Sequence, residues 1–420
     1  MNMDLYKPKL VAMLLACAVA PSSGTVVADS LTEAFSEGSV KANIRLRYET
    51  VDDDTRSRDA DAVTLRTRLG YETGSFIGWK LFAEIEDVTA IDDSYNSTTN
   101  GNTQYPVVAD PEETELNRLT LSYSGFADTW IKAGRQRIIL DNARFIGNVG
   151  WRQNEQTFDG LKITNSSLAD TKVTYAYLTK AHRIFGDNSR AGNSDMNSHL
   201  LNVAYSGLGL GKLTAYGYWL GFDDNSAIGP GAGTRTLGIS FDGNQPLNDD
   251  FKLLYRAELA DQSDYDDGAS TNDADYQLGE VGIKYKKFTV KVGQETLEGD
   301  GTYGFSTQLA TGHKFNGWAD HFLATPRDGL EDTYVTAIGW LGGVKLLATY
   351  HWFESDKDSY DYGDELNLLA VKKINKQFTV GAKYADYESD KNSTLLARAG
   401  GTGPAAIDRE KFWLWGEYTY

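Results

Sequence analysis

The sequence predicts an all-β chain, a transmembrane antiparallel β-barrel of about 18 strands. Three observations carry that prediction. Apolar and polar residues alternate with a period of two through most of the chain, which sets them on opposite faces of a sheet. The connections between these runs alternate short and long, as the periplasmic turns and external loops of outer-membrane barrels do. The last residues, "KFWLWGEYTY", put Phe412, Leu414, Tyr418 and Tyr420 on one apolar face that ends in an aromatic side chain. A sandwich or a propeller has no reason to alternate loop length in this way.

The chain begins with Lys7 and Lys9, an apolar run "LVAMLLACAVA" (10–20) and a small-residue pattern ending at Ala28. This is a secretory signal peptide, 1–28, too short to span a membrane. "LLAC" (14–17) is a looser fit to a lipoprotein box. Cys17 is the only cysteine, so residues 29–420 form one domain without disulfides. Mean hydropathy is −0.43, a soluble-looking value that a barrel also shows because lipid-facing and lumen-facing residues average out.

The first strand shows the pattern: Val40, Ala42, Ile44, Leu46 and Tyr48 against Lys41, Asn43, Arg45, Arg47 and Glu49. "AVTLRTRLGY" repeats it, with Arg66 and Arg68 on the polar side. Strand starts are expected near residues 39, 62, 79, 115, 129, 157, 171, 198, 212, 234, 250, 275, 288, 331, 344, 365, 377 and 409. Short turns fall at 73–78, 125–128, 165–169, 206–211, 286–287, 342–343 and 375–377. Long loops fall at 91–113, 136–156, 184–196, 262–273, 299–329, 356–364 and 389–408.

Formal net charge is −18, yet the acids gather in the expected external loops. The polar strand faces carry thirteen basic residues, Arg118, Lys132 and Arg256 among them, against six acidic ones. A lipid face holds an Arg or Lys near its midplane only at about 2–4 kcal/mol each. These groups are therefore expected to face a wet lumen, which at 18 strands is wide enough for a channel. Acidic neighbours look scarce around Arg45, Arg47, Arg66 and Arg68. Anionic solutes follow as the expected cargo, and outer-membrane lipid and lipopolysaccharide as the surroundings. Nucleic acid does not suit the balance, and the assembly is a monomer or a trimer.

The loop at 136–156 departs from its acidic neighbours. It carries Arg144, Arg152, Gln153 and Asn154 with Phe145 and Trp151, and Arg135 just precedes it. That composition suits a loop folded into the lumen, with Phe145 and Trp151 packing it there and the polar groups facing solute. The alternative is a self-packed cap over the rim. "GRQRIILDNARFIGNVGWRQNEQTFDG" (134–160) resembles the central motif of the alginate export family of outer-membrane porins, and "FNGWADHFLATPRDGLEDTYV" (315–335) resembles a second stretch of it. Arg135, Gln136, Arg144, Phe145, Gly147, Trp151, Arg152, Gln153, Asn154, Gln156, Phe158 and Asp159 match the first motif. The resemblance implies an 18-stranded barrel with an arginine-lined path for anionic or carboxylated solutes, uronates among them, in a Gram-negative outer membrane. The chain is shorter than true alginate exporters.

Catalytic motifs are not found: there is neither G-x-S-x-G nor H-E-x-x-H. His313, Asp320 and His321 share one loop without a nucleophile pattern. No catalytic residue, cofactor or metal ligand is expected. The competing readings are a secreted soluble β-rich carbohydrate-active protein and a non-selective diffusion porin.

Overall fold

The computed structural model of the chain describes residues 27–28, 30–53, 56–224, 226–390 and 407–420. Most of the expected signal segment and of the loop at 389–408 lies outside the described residues. Eighteen long strands follow one another: β1 Ser39–Asp53, β2 Ala60–Glu72, β3 Trp79–Ser94, β4 Glu113–Tyr123, β5 Thr129–Gln136, β6 Thr157–Asn165, β7 Thr171–His182, β8 Asn193–Tyr205 and β9 Gly211–Leu220. The second half comprises β10 Thr234–Pro246, β11 Phe251–Asp264, β12 Ala274–Tyr285, β13 Phe288–Leu297, β14 Leu330–Leu341, β15 Val344–Glu354, β16 Asp361–Lys373, β17 Phe378–Glu388 and β18 Arg409–Thr419.

Each strand pairs antiparallel with the next. The ring closes where β1 meets β18, from Asn43↔Thr419 to Asp53↔Arg409. Closure removes the open sheet edge, so strand N–H and C=O groups pair with neighbouring strands instead of water across the bilayer. A two-residue strand Val27–Ala28 pairs parallel with Ser75–Phe76. A one-and-a-half-turn helix, α1 Leu31–Ser36, is capped by Ser30, whose hydroxyl accepts from Glu33 N at 3.1 Å.

The faces sort as the alternation requires. Leu46, Leu69, Ile85, Leu121, Leu259 and Val290 are exposed on the outer wall, while Arg45, Arg47, Arg66 and Glu86 are buried inside it. Strand starts agree closely with the sequence pattern except at β8 and β16, which begin several residues earlier than expected. "NSDMN" (193–197) and "DYGD" (361–364) lie outside the lipid belt, where both faces are polar and alternation vanishes. Both pairings also slip register there, between Asp195 and Ser198 and between Phe353 and Glu354. The turn between β14 and β15 is Gly342–Gly343, with φ of 58° and 78°. A two-residue hairpin turn of type I′ takes positive φ at both positions, which glycine adopts without strain.

Short turns share the end that carries Ser39 and Tyr420, so that end is periplasmic. An epitope inserted after Asp267 should bind antibody on intact cells, and one inserted after Gly209 should bind only after permeabilisation. Labelling at Gly209 on intact cells would overturn this orientation, provided both proteins keep the faster unheated migration of a folded barrel.

Candidate pore constriction

The loop joining β5 to β6, residues 137–156, crosses the lumen. Its backbone has little regular structure, so its carbonyls and amides need other partners. The β1 wall supplies them. Arg45 Nε donates to Gln153 Oε1 at 2.9 Å, and its Nη1 and Nη2 donate to the carbonyls of Gly150 (3.3 Å), Trp151 (2.9 Å) and Arg152 (2.5 Å). Arg47 Nη1 donates to the Trp151 carbonyl at 2.6 Å. Gln153 reaches β2 through Thr64 Oγ1 at 2.8 Å.

Carboxylates neutralise the guanidinium groups that this packing buries. Arg47 pairs with Asp110 and with Glu49 (3.2 Å). Arg152 pairs with Glu49 (3.1 Å), Asp320 (3.2 Å) and Asp110 (3.5 Å). Arg68 pairs with Glu86 and with Glu155 (3.6 Å), and Arg66 with Glu417 at 3.2 Å. Glu155 also takes Arg137 Nε at 2.6 Å and Asn117 Nδ2 at 2.9 Å. Burial works to raise the Glu155 carboxyl, but Arg68 and Arg137 outweigh it and hold the group well below the usual carboxylate range. Acids are therefore not scarce around the β1–β2 arginines. They come from Glu49 and Glu86, close in the chain, and from Asp110, Glu155 and Glu417, remote from Arg45 to Arg68.

The far side of the loop is anchored on the opposite wall. Arg144 donates to Glu295 at 2.8 Å and to Asn316 Oδ1 at 2.8 Å. Phe145 sits among Tyr276, Tyr216 and Phe305, with ring centroids 5.2, 5.5 and 5.8 Å away. Trp151 stacks on His313 at 5.0 Å and meets Trp413 and Trp415 edge-on at 5.7 and 5.3 Å. Both aromatic residues thus pack the loop inside the barrel.

A second loop, 298–329 between β13 and β14, meets the first inside the lumen. Ile146 and Leu309 form a parallel bridge, Gly147 N donates to Leu309 O at 2.9 Å, and Thr311 N donates to Ala143 O at 3.0 Å. Asp320 accepts from Lys411 Nζ at 2.8 Å, and its other oxygen lies 2.6 Å from His313 Nδ1. His313 Nε2 lies 2.6 Å from Lys383 Nζ. Burial, only partly offset by Asp320, pushes the His313 imidazole down to about 3. The ring is therefore neutral near pH 7, donating to Asp320 and accepting from Lys383 Nζ. His321 does not join it and stacks instead on Tyr387 at 4.3 Å. Among the described residues no group of His, Cys, Asp and Glu has metal-binding geometry.

The sequence-derived set divides into parts. Arg45, Arg47, Arg66, Arg68, Arg152 and Gln153 come together at the loop–wall junction, and all are buried. Asn154 is buried beside them and donates to Ile184 O at 3.2 Å. Arg118, paired with Glu84 at 2.7 Å, and Lys132 line a chamber of about 600 Å³ on the periplasmic side of the loop. Arg256 is elsewhere, in a second chamber of about 580 Å³ across the lumen, held by Asp242 and Glu258 at 2.6 Å each. Arg135 is a correction. Its register partner is the exposed Leu119, so it faces outward with Asp159 (3.1 Å) and does not line the pore. β5 pairs with both neighbours without a bulge, so the two-residue period running from the lumen-facing Lys132 itself sends Arg135 outward. Asp110, Glu295 and Asn316 were missed: each lies in a stretch whose local sequence reads as solvated loop or ordinary wall.

A closed barrel of 18 strands with short periplasmic turns and a lumen crossed by an inserted loop is an outer-membrane porin fold. The family described as alginate export matches residues 37–304, and the chain belongs to that family. No curated protein matches it in sequence. Among solved structures it is similar to OccAB4 of Acinetobacter baumannii (TM-score 0.69, 13% identity, 91% of this chain and 98% of that one). It is also similar to two Pseudomonas aeruginosa proteins. For OpdL the TM-score is 0.67 at 14% identity, covering 92% and 99%. For OpdK, solved with vanillate, it is 0.67 at 12% identity, covering 91% and 98%. The protein resides in the outer membrane of a Gram-negative bacterium.

Removing one partner from a buried ionic cluster leaves the others uncompensated, at about 3–5 kcal/mol. Arg152→Ala, which removes the cation shared by Glu49, Asp110 and Asp320 and leaves Arg47 and Lys411 as their remaining cations, should therefore lower the temperature at which the compact unheated band is lost on gels. Arg190→Ala, in the loop between β7 and β8, should leave that temperature unchanged. Equal temperatures for the two variants would show that the cluster does not stabilise the inserted loop.

Proposed function

We propose that the protein is a non-enzymatic channel that passes small anionic, carboxylated solutes, uronates among them, and that the 137–156 loop is its constriction. The observation that carries this reading is the periplasmic chamber beneath the loop. Its wall includes Lys41, Arg45, Arg66, Arg68, Lys80, Arg118, Lys132 and Arg137 against Glu72, Glu84 and Glu417. Lys41, Lys80 and Lys132 make no ion pair among the described residues, so the basic excess is not cancelled locally. The OpdK structure solved with vanillate, an aromatic carboxylate, supports a cargo of that class. The external loop acids do not oppose it, since exposed charges are screened beyond about 8 Å at physiological salt.

The magnitude favours selection. One cation 5 Å from a monovalent anion contributes roughly 0.8 kcal/mol in bulk-like water and about 3 kcal/mol at an effective dielectric of 20. Several such groups around one chamber focus anions in the pore. The buried arginines have a different part. Arg47, Arg68, Arg144 and Arg152 are each matched by carboxylates at contact distance, so they hold the loop in place, and selectivity rests on the less compensated lysines and Arg45.

Two measurements test this. In planar bilayers under a salt gradient, the reversal potential should report anion preference, and replacing Lys41, Lys80 and Lys132 with Glu should invert it. Cation preference in the unmodified protein would refute the reading. Replacing 139–152 with a short Gly/Ser linker should raise single-channel conductance while migration stays heat-modifiable. Unchanged conductance in a folded variant would show that the loop does not limit the pore.

A further inference from the structure

The outer wall between β13 and β18 is not flat. Outward positions there hold Ala337, Gly339, Ala348, Ala370 and Ala382, and the surface sinks into an apolar groove of about 560 Å³ bordered by Phe288, Leu368, Tyr384 and Phe412. Register fixes its height. Ala337 faces Ala348, which faces Leu368, and Leu368 faces Tyr384. One row nearer the periplasm, Gly339 faces Leu346, Leu346 faces Ala370, and Ala370 faces Ala382. One row further still, Lys372 lies between Val344 and Val380. The groove therefore belongs to the periplasmic half of the lipid belt and ends beside a lysine.

That lysine is not isolated. The two turns flanking the groove are "KYKKF" (284–288) and "VKKINKQF" (371–378), with Lys286, Lys287, Lys373 and Lys376 and no acid in either. Residues 73–78, 124–128, 166–170, 206–210 and 247–250, the short turns elsewhere, contain no Lys or Arg at all. Lys372, Lys373 and Lys376 are exposed. Lys286 is exposed too and meets only Asp250, at 3.7 Å, as an ion pair. Among the short periplasmic turns, basic charge is thus concentrated in the two that flank this groove.

We propose that the groove and its lysine rim bind one anionic phospholipid of the inner leaflet. An acyl chain lies over Ala348, Ala370 and Ala382, and the phosphate sits at Lys372 with Lys373 and Lys376. Apolarity alone would not select a ligand here, because lipid tails are as apolar as the wall they touch. What favours an occupant is shape, since an unfilled groove forfeits dispersion contacts on one side, and headgroup charge, which each nearby lysine favours. A second copy of the chain is the weaker occupant: a two-fold contact sets the same patch against itself and would bring two lysine rims together. The inference rests on outer-membrane residence alone and stands or falls apart from the solute reading.

Native mass spectrometry of the detergent-solubilised protein, with equal amounts of phosphatidylglycerol and phosphatidylethanolamine, tests it. A one-to-one adduct should form with preference for phosphatidylglycerol. Lys372→Gln should cut that preference roughly fivefold, the factor expected for one lysine near an anionic headgroup. Ala370→Phe, which fills the groove, should abolish retention of either lipid. Equal retention of the two lipids by the unmodified protein would overturn the proposal, as would unchanged preference in Lys372→Gln, whose exposed site leaves folding intact. A dimer or trimer that Ala370→Phe dissociates would assign the groove to a second copy instead.

Discussion

The arrangement of the lumen depends on the hydrogen bonds between the β1 guanidinium groups and the carbonyls of Gly150, Trp151 and Arg152. An irregular segment drawn into a barrel gives up water and has no strand to pair with. Its carbonyls must be met by donors fixed to the wall. Arginine is suited to this, because its five N–H groups lie in a rigid plane and reach several acceptors at once. Arg45 bonds four loop acceptors in this way and has no carboxylate partner among the described ion pairs.

Burying cations at that junction creates a second demand, which the carboxylates meet. Glu49, Asp110, Glu155, Glu295 and Asp320 each lie within an ion-pair distance of a buried arginine. Desolvating a charge costs several kcal/mol, and attraction offsets it only where geometry is close and the remaining hydrogen-bonding sites are filled. Asp110 shows the filling: one oxygen serves Arg47 while the other accepts from Gln153 N at 2.7 Å. The lumen thus separates into a compensated zone, where charges fix the loop, and a chamber beneath it, where basic groups outnumber acids. Structure and passage use the same residue type in adjoining places.

The second loop gives this zone its other half. His313, held neutral between Asp320 and Lys383, offers a flat face to Trp151, and Lys383 Nζ lies 3.7 Å from the Trp318 ring centroid and 4.4 Å from that of Trp151. The Lys383 amine is thus packed among aromatic faces at the meeting of the two loops. Each loop supplies backbone partners for the other, in addition to those from the wall.

The sequence by itself determined the barrel. Lipid on one side and water on the other impose strict alternation, and membrane thickness imposes strand length, so strand number, order and facing could be read from local pattern. It also marked 137–156 as unlike an external loop, since Arg144, Phe145, Trp151 and Arg152 stand where neighbouring loops are acidic. The tertiary structure alone decided which cation meets which anion. Arg47 finds Asp110, Arg144 finds Glu295 and Arg152 finds Asp320 across long stretches of chain, and no local period encodes such distances. Arg135 was legible locally, since three positions beyond the lumen-facing Lys132 in an unbulged strand it faces outward. No local pattern, by contrast, announces the bulges around Asn117 and at Asp159, which reverse the facing of the residues beyond them.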